Sequence, residues 1–497
     1  MSTVIATTAA VVALAAAGAL PVLATVGLRW FAVPLAPLAG AVVAALSANA
    51  SLSFGGSLLD WFVGLAALGA AVVFGVWVVR PDLGPRRAPA GTGGGGVHRV
   101  AGIVGFLLVV ATCAWSLRGL RSPTVGFDAR AMWVMRPGWF LQSHGQLLID
   151  MKARGLILTQ SAYPPLVSAS TAVAWKITGV HTARLGVTTV ALLNACALAA
   201  AALALVESSR GLARRVDRPW IPMAVGLVAA VLLIVVAAGV TEPFLTNGYA
   251  DPLWSLAAVG AVAFGLQLHD DAGSRAATVV LILVAGTTKN EGLVTALALI
   301  VLVTMRSIGW AGLRGAWNRW RGPLVIAGCE LVALAWWPLL MKSIGARGAT
   351  STFTASTDLA HRTGATIHGM SPYLHVLVLA VPLSVVGGIV LSGVRRRGGV
   401  GNDGWGWLAL ASGLVAVGAA LVTGSGAIGP WILSTVHRIT EYPILEAWWI
   451  IGFWAVVAGA CLGDRSAGAG ARAEAAPDLH ASRSGTAPAN EPVGVTG

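Results

Sequence analysis

The segment Gly126-Phe127-Asp128-Ala129-Arg130-Ala131-Met132-Trp133 sets a carboxylate and a guanidinium two positions apart between long apolar runs. Only 20 of the 497 residues are acidic, and a charge beside lipid is costly unless it has a use, so Asp128 is the first candidate for chemistry. Similar residues recur at the ends of later apolar runs: Glu242, then Asp251 in Tyr249-Ala250-Asp251-Pro252, then Lys289 and Glu291 in Thr288-Lys289-Asn290-Glu291. A late cation, Arg438, follows in Ser434-Thr435-Val436-His437-Arg438. Such a set suits a transfer reaction. Asp128 would take the proton of an acceptor hydroxyl, while Arg130, Arg136, Lys289 and Arg438 would hold a phosphate leaving group. The remaining carboxylates would bind sugar hydroxyls or a metal, and Trp133, Trp139 and Tyr163 offer flat faces for a sugar or for the interfacial aromatic belt.

The elements that must position these residues follow from composition. With 56% hydrophobic residues, 11% charged residues and a mean hydropathy of +0.78, the chain reads as an all-α polytopic integral membrane protein. The net charge of +13 lies mostly in short arginine-rich links between apolar runs, which is the signature of cytoplasmic loops and excludes nucleic acid as a partner. Cys113, Cys196, Cys329 and Cys461 sit inside apolar runs without CxxC spacing, so neither zinc nor a disulfide framework is expected.

At about 20 residues per crossing, about 13 transmembrane helices are expected. They fall near 4–25, 32–50, 57–79, 100–117, 183–206, 219–241, 252–268, 276–288, 292–305, 323–341, 372–394, 404–424 and 446–463. Basic links at 80–99, 210–218, 306–321 and 395–397 belong in the cytoplasm, and parity then forbids the apolar piece 164–179 from crossing. That piece should be re-entrant or interfacial. The same parity places 118–182, 242–251, 289–291, 342–371 and 425–445 on the outer face, together with every candidate site residue. The non-basic link His269-Asp270-Asp271, and Arg118 and Arg121 just outside a span end, stand against this pattern. The expected organisation is a three-span N-terminal group (1–80), a flexible cytoplasmic linker (81–99), a module at 100–305, a C-terminal transmembrane region (306–463) and a disordered cytoplasmic tail (464–497).

Asp128 in a large first outer loop, Tyr163-Pro164-Pro165-Leu166 near its end, Tyr249-Ala250-Asp251-Pro252, and Thr288-Lys289-Asn290-Glu291-Gly292-Leu293 resemble the GT-C superfamily of membrane glycosyltransferases. The resemblance covers residues 100–305, with Ser434 to Arg438 as a late echo. It implies a large catalytic first outer loop and a polyprenyl-phosphate sugar donor attacked on the extracytoplasmic face. The acceptor would be a glycan or lipid of the cell envelope. Carried over, Asp128 is the general base, Asp251 and Glu291 organise donor or acceptor, and Lys289 and Arg438 meet the donor phosphate. Arg130, Trp133, Tyr163 and Glu242 join the binding set, no second carboxylate adjoins Asp128, a divalent metal is left open, and no organic cofactor is expected.

Plainer roles compete for several residues. Asp128 could cap a loop helix, Asp251 before Pro252 suits a helix start, and Glu291 near Lys289 could be a structural ion pair. Glu330, inside a span, should face a partner or a cavity. A transporter or lipid-linked-glycan flippase or ligase is the alternative class; a transporter would place its charges inside the spans rather than at one face. The Ala/Gly/Val/Arg-rich composition points to a bacterial plasma (inner) membrane as the setting.

Overall fold

The computed structural model describes residues 3–26, 29–79, 95–153, 162–214, 216–242, 244–268, 271–309, 320–346, 359–398, 404–423 and 435–463. The expected tail and most of the expected linker lie outside the described residues. Among these residues every regular element is helical, because in lipid a helix satisfies its own backbone groups. In chain order the helices are α1 (Thr3–Val26), α2 (Ala32–Phe54), α3 (Leu58–Val79), α4 (Gly95–Ser116), α5 (His144–Lys152), α6 (Leu166–Thr178), α7 (Ala183–Ala213) and α8 (Trp220–Val240). They continue as α9 (Asp251–Val262), α10 (Ala272–Thr288), α11 (Asn290–Ile308), α12 (Arg321–Ile344), α13 (Leu359–Met370), α14 (His375–Gly398), α15 (Gly404–Thr423) and α16 (Glu441–Gly463).

Among the described residues, nine helical segments are long and apolar enough to cross a bilayer. A tenth arises if Ala360–Tyr373 and His375–Gly387, which meet at 74°, form one span. The chain is thus a helical multi-pass membrane protein. α9, α7 and α2 are largely sheathed by other helices, with every residue of α9 buried. Large apolar side chains instead face outward on α3 (Leu68, Phe74), α8 (Val228, Leu232) and α12 (Val332), as lipid contact demands.

α1 and α2 do not stand apart from the later helices. Both pack on α6, α7 and α10, and one apolar core runs through all of them. The two helices approach closely because Gly18 and Gly40 face each other's backbones: a Cβ on Gly18 would strike the Ala36 carbonyl, and one on Gly40 the Leu14 backbone. Small residues are the usual means of close helix packing where the lipid gives no hydrophobic drive.

Contacts between loops agree with the parity argument. Arg29, in the α1–α2 link, donates to Asp271 at 2.8 Å, joining two links expected on the same side. That pairing accounts for the non-basic link, since Asp271 also caps α10 by accepting from the Ser274 amide at 2.8 Å. At the opposite end His144 meets the Ser51 carbonyl at 3.1 Å and Trp336 donates to Ser53 at 3.1 Å. α6 has only 13 residues, about 20 Å of helix, and is buried over its first ten. Its C-terminal Trp175 packs with Ala6 and Leu185, the starts of α1 and α7, while Tyr163 just before it lies over Lys289. α6 therefore lies across one end of the bundle.

Replacing Gly40 by Leu should destabilise the folded protein by about 1–3 kcal/mol, while Gly64→Leu on α3, where a Cβ meets nothing within 4 Å, should be near neutral. Thermal unfolding in detergent checks the pair; equal effects would contradict the close α1–α2 approach.

Candidate functional site

Two loops are locked together before any charged side chain is placed. The Gly126 amide donates to the Asn247 carbonyl at 3.1 Å, and Asn194 of α7 donates to the Leu245 carbonyl at 3.0 Å. Gly248 takes a left-handed backbone (φ 88°), and a Cβ there would press on Ala129 and Val187 at 3.0 Å. A Cβ at Gly126 would collide with the Tyr249 ring. These close approaches set Asp128 beside Tyr249, whose hydroxyl accepts from the Asp128 amide at 3.4 Å.

Asp128 precedes a π-helical turn, Ala129–Trp133, and makes no capping hydrogen bond. Its carboxylate pairs instead with Arg438, 310 positions away, and the Arg438 guanidinium lies 5.2 Å from the Tyr249 ring centre. Asp251 is the first residue of α9, directly before Pro252. Its carboxylate accepts from Lys289 at 2.6 Å.

Lys289 is the single residue between α10 and α11, and its extended backbone (φ −154°, ψ 159°) turns the chain between them. Gly292 lets α11 close on its neighbours, because a Cβ there would strike the Ala285 carbonyl and come within 2.9 Å of Trp254. The ammonium is sealed between Asp251 and, at 3.5 Å, Glu291; Lys289 and Asp251 side chains are only 3% and 2% exposed. Burial works against its charge, but the Asp251 and Glu291 carboxylates outweigh burial and hold its pKa above the ordinary lysine value. Lys289 is therefore a fixed cation.

An aromatic stack backs this node. The Tyr163 ring lies 5.9 Å from the Lys289 ammonium and stacks on Trp133, with centroids 5.8 Å apart and planes at 10°. Beyond Trp133 comes Arg136, fully buried, donating to the Tyr163 carbonyl at 2.8 Å. Burial lowers the Arg136 pKa to about 9, which leaves it protonated at neutral pH. Burial, with the Glu291 charge adding to it, pushes the Tyr163 phenol above its ordinary value, so it is a neutral donor.

The structure thus brings together Asp128, Arg438, Asp251, Lys289, Glu291 and Tyr163, with Trp133 behind them. Two expected residues stand elsewhere. Glu242 pairs with Arg118 at 3.6 Å, with side chains 65% and 44% exposed, a surface contact of small energetic value. Arg130 is exposed and has no carboxylate partner among the described residues. Trp133 is buried and its face is taken by Tyr163.

Three contributors escaped sequence reasoning. Tyr249 stands in the sequence only as a neighbour of Asp251, yet it is the ring on which Arg438 rests. Glu441 opens α16, is wholly buried, and lies close enough to Asp251, Lys289 and Arg438 to feel their charges. Both its oxygens lack hydrogen-bond partners, and Glu446, about one turn deeper and also fully buried, faces the Tyr442 hydroxyl. The run Glu441-Tyr442-Pro443-Ile444-Leu445-Glu446, two acids in an apolar stretch, was the available signal. Arg438 Nε and Glu291 Oε2 are also buried without partners, so the cluster has polar capacity to spare. Among the described residues no group of three or more His, Cys, Asp or Glu is placed to hold a metal ion, and no two cysteines form a disulfide. No family model, curated protein or solved structure matches the chain.

Lys289→Met strands the Asp251 carboxylate in a sealed site and should cost on the order of 3–5 kcal/mol. Adding Asp251→Asn should recover most of that loss, because the stranded charge is gone. Unfolding of the single and double variants in detergent measures the difference, and a double variant no more stable than Lys289→Met would refute the pairing.

Proposed function

We propose that the protein is a membrane glycosyltransferase of GT-C type. It moves a sugar from a polyprenyl-phosphate donor to a glycan or lipid acceptor of the cell envelope. The observation that carries this reading is the meeting of Asp128, Asp251, Lys289 and Arg438 from four separate chain segments at one end of the bundle. In this reading the chain crosses a bacterial plasma membrane about 13 times, with the cluster on the extracytoplasmic side and the donor's lipid tail lying among the lipid-facing helices.

The step forms a bond between the acceptor oxygen and the sugar's anomeric carbon and breaks the bond from that carbon to the phosphate oxygen. The electron pair of the broken bond stays on the phosphate. Asp128 takes the acceptor proton, and Arg438 stabilises the departing phosphate, with Lys289 acting at longer range from behind its carboxylate partners. In the resting site Arg438 already neutralises Asp128. An arriving phosphate competes for Arg438 and leaves Asp128 free to act as a base, which orders donor before acceptor. The idle atoms Arg438 Nε and Glu291 Oε2 supply a donor and an acceptor for sugar or phosphate groups.

One observation favours transport as a second reading: Glu441 and Glu446 are fully buried in the helical segment Thr435–Gly463, and Glu441 has no hydrogen-bond partner. Acids inside a span often line a pathway. They lie at the site's end of that helix, which also suits a role beside the cluster.

Asp128→Asn should fold normally and lower transfer from a synthetic polyprenyl-phosphate hexose by about 10²- to 10⁴-fold, the usual worth of a general base. Purified native and variant protein, matched by melting temperature, would be compared by product formation. Undiminished transfer by the variant would remove Asp128 from the chemistry.

A further inference from the structure

Among the described residues, Arg136 is the one fully buried guanidinium whose charge no carboxylate answers. It has 0% exposure, and no described Asp or Glu pairs with it. Of its five N–H donors, one nitrogen, Nη2, serves the Tyr163 carbonyl at 2.8 Å, while Nε and Nη1 are buried with no acceptor. A third idle donor lies on the adjacent residue of the stack: the indole Nε1 of Trp133, which is 1% exposed, is buried without a partner. The guanidinium carbon sits 6.0 Å from the Trp133 ring centre and 5.8 Å from that of Trp337. Ring faces attract a cation but accept no N–H bonds in the manner of an anion, and a desolvated cation without a counter-charge is among the costliest arrangements in a protein.

We infer that Arg136 and Trp133 hold one small inorganic anion of the halide class inside the first outer loop. One positive charge calls for one negative charge. Tight burial by Trp133 and Trp337, the latter 2% exposed, favours a compact ion over a phosphate ester with a tail. The bound anion has a structural consequence for the neighbouring site. Arg136 grips the Tyr163 carbonyl, Trp337 grips the Ala162 carbonyl at 3.1 Å, and the Tyr163 ring then lies over Lys289. An anion that fixes Arg136 also fixes Tyr163. This inference is independent of glycosyl transfer, because it rests on the loop's own donors and is read by binding.

The test is thermal unfolding of the purified full chain in detergent, titrated with sodium chloride or bromide against sodium gluconate at constant ionic strength. The native protein should show a saturable rise of about 3 °C in halide over gluconate. Arg136→Gln should lose the rise. Trp133→Phe, which keeps the ring and removes only the idle N–H, should need about tenfold more halide to reach half the effect; this variant also decides the matter if Arg136→Gln fails to fold. Identical melting in chloride and gluconate, or a rise unchanged in Trp133→Phe, would overturn the inference. Stabilisation by a polyprenyl phosphate but by neither halide would overturn it too, giving these donors to a lipid phosphate.

Discussion

Lys289 keeps its charge at the turn between α10 and α11 only because Asp251 meets it at 2.6 Å and Glu291 at 3.5 Å. An ammonium so enclosed is tolerable when its hydrogen bonds and counter-charge are supplied by rigid neighbours. Here the neighbours stand in the first turns of two helices. Asp251 opens α9 and Glu291 stands in the first turn of α11, so the pair fixes where α9, α10 and α11 end relative to one another. The close packing of Gly292 on Ala285 and Trp254 follows from the same constraint. Around that node, Tyr163 lies over the ammonium, Trp133 stacks on Tyr163, and Arg136 ties the stack to the backbone.

Arg438 extends the cluster to its more open edge. Its charge reaches Asp251, its guanidinium pairs with Asp128, and its face covers Tyr249. Asp128 and Arg438 side chains remain 18% and 13% exposed, against 2% and 3% for Asp251 and Lys289. The arrangement has a sealed interior that sets geometry and an accessible rim that can meet a substrate. On the proposed reading, chemistry belongs to the rim, and the interior keeps Arg438 and Tyr249 in place.

The helices were legible because lipid imposes a single rule on the backbone and about 20 apolar residues satisfy it. Each stretch read as a span holds a helix, and 164–179 is the short α6 that lies across one end of the bundle. That Asp128, Asp251, Lys289 and Glu291 meet at one end of the bundle was also legible, since parity needs only the signs of the links. Pairing was not. Nothing in the neighbourhood of Asp128 marks Arg438 as its partner across 310 positions, and an aspartate before an apparent helix start reads equally well as a cap. Glu441 falls in the expected outer loop 425–445 because acids usually mark the end of a span, whereas α16 begins with it and buries it. α13 fell in an expected outer loop for a related reason: Leu359–Met370 holds His361, Arg362 and His368, which mask an amphipathic helix from a hydropathy reading.

Sugar transfer from a lipid phosphate is tested most directly by mass spectrometry of envelope glycans and polyprenyl-phosphate sugars. Cells lacking the protein would be compared with the same cells carrying the native chain. Glycosyl transfer predicts loss of one sugar linkage together with build-up of its lipid-linked donor, both reversed by the native chain. An envelope and a donor pool identical in the two strains would contradict the claim.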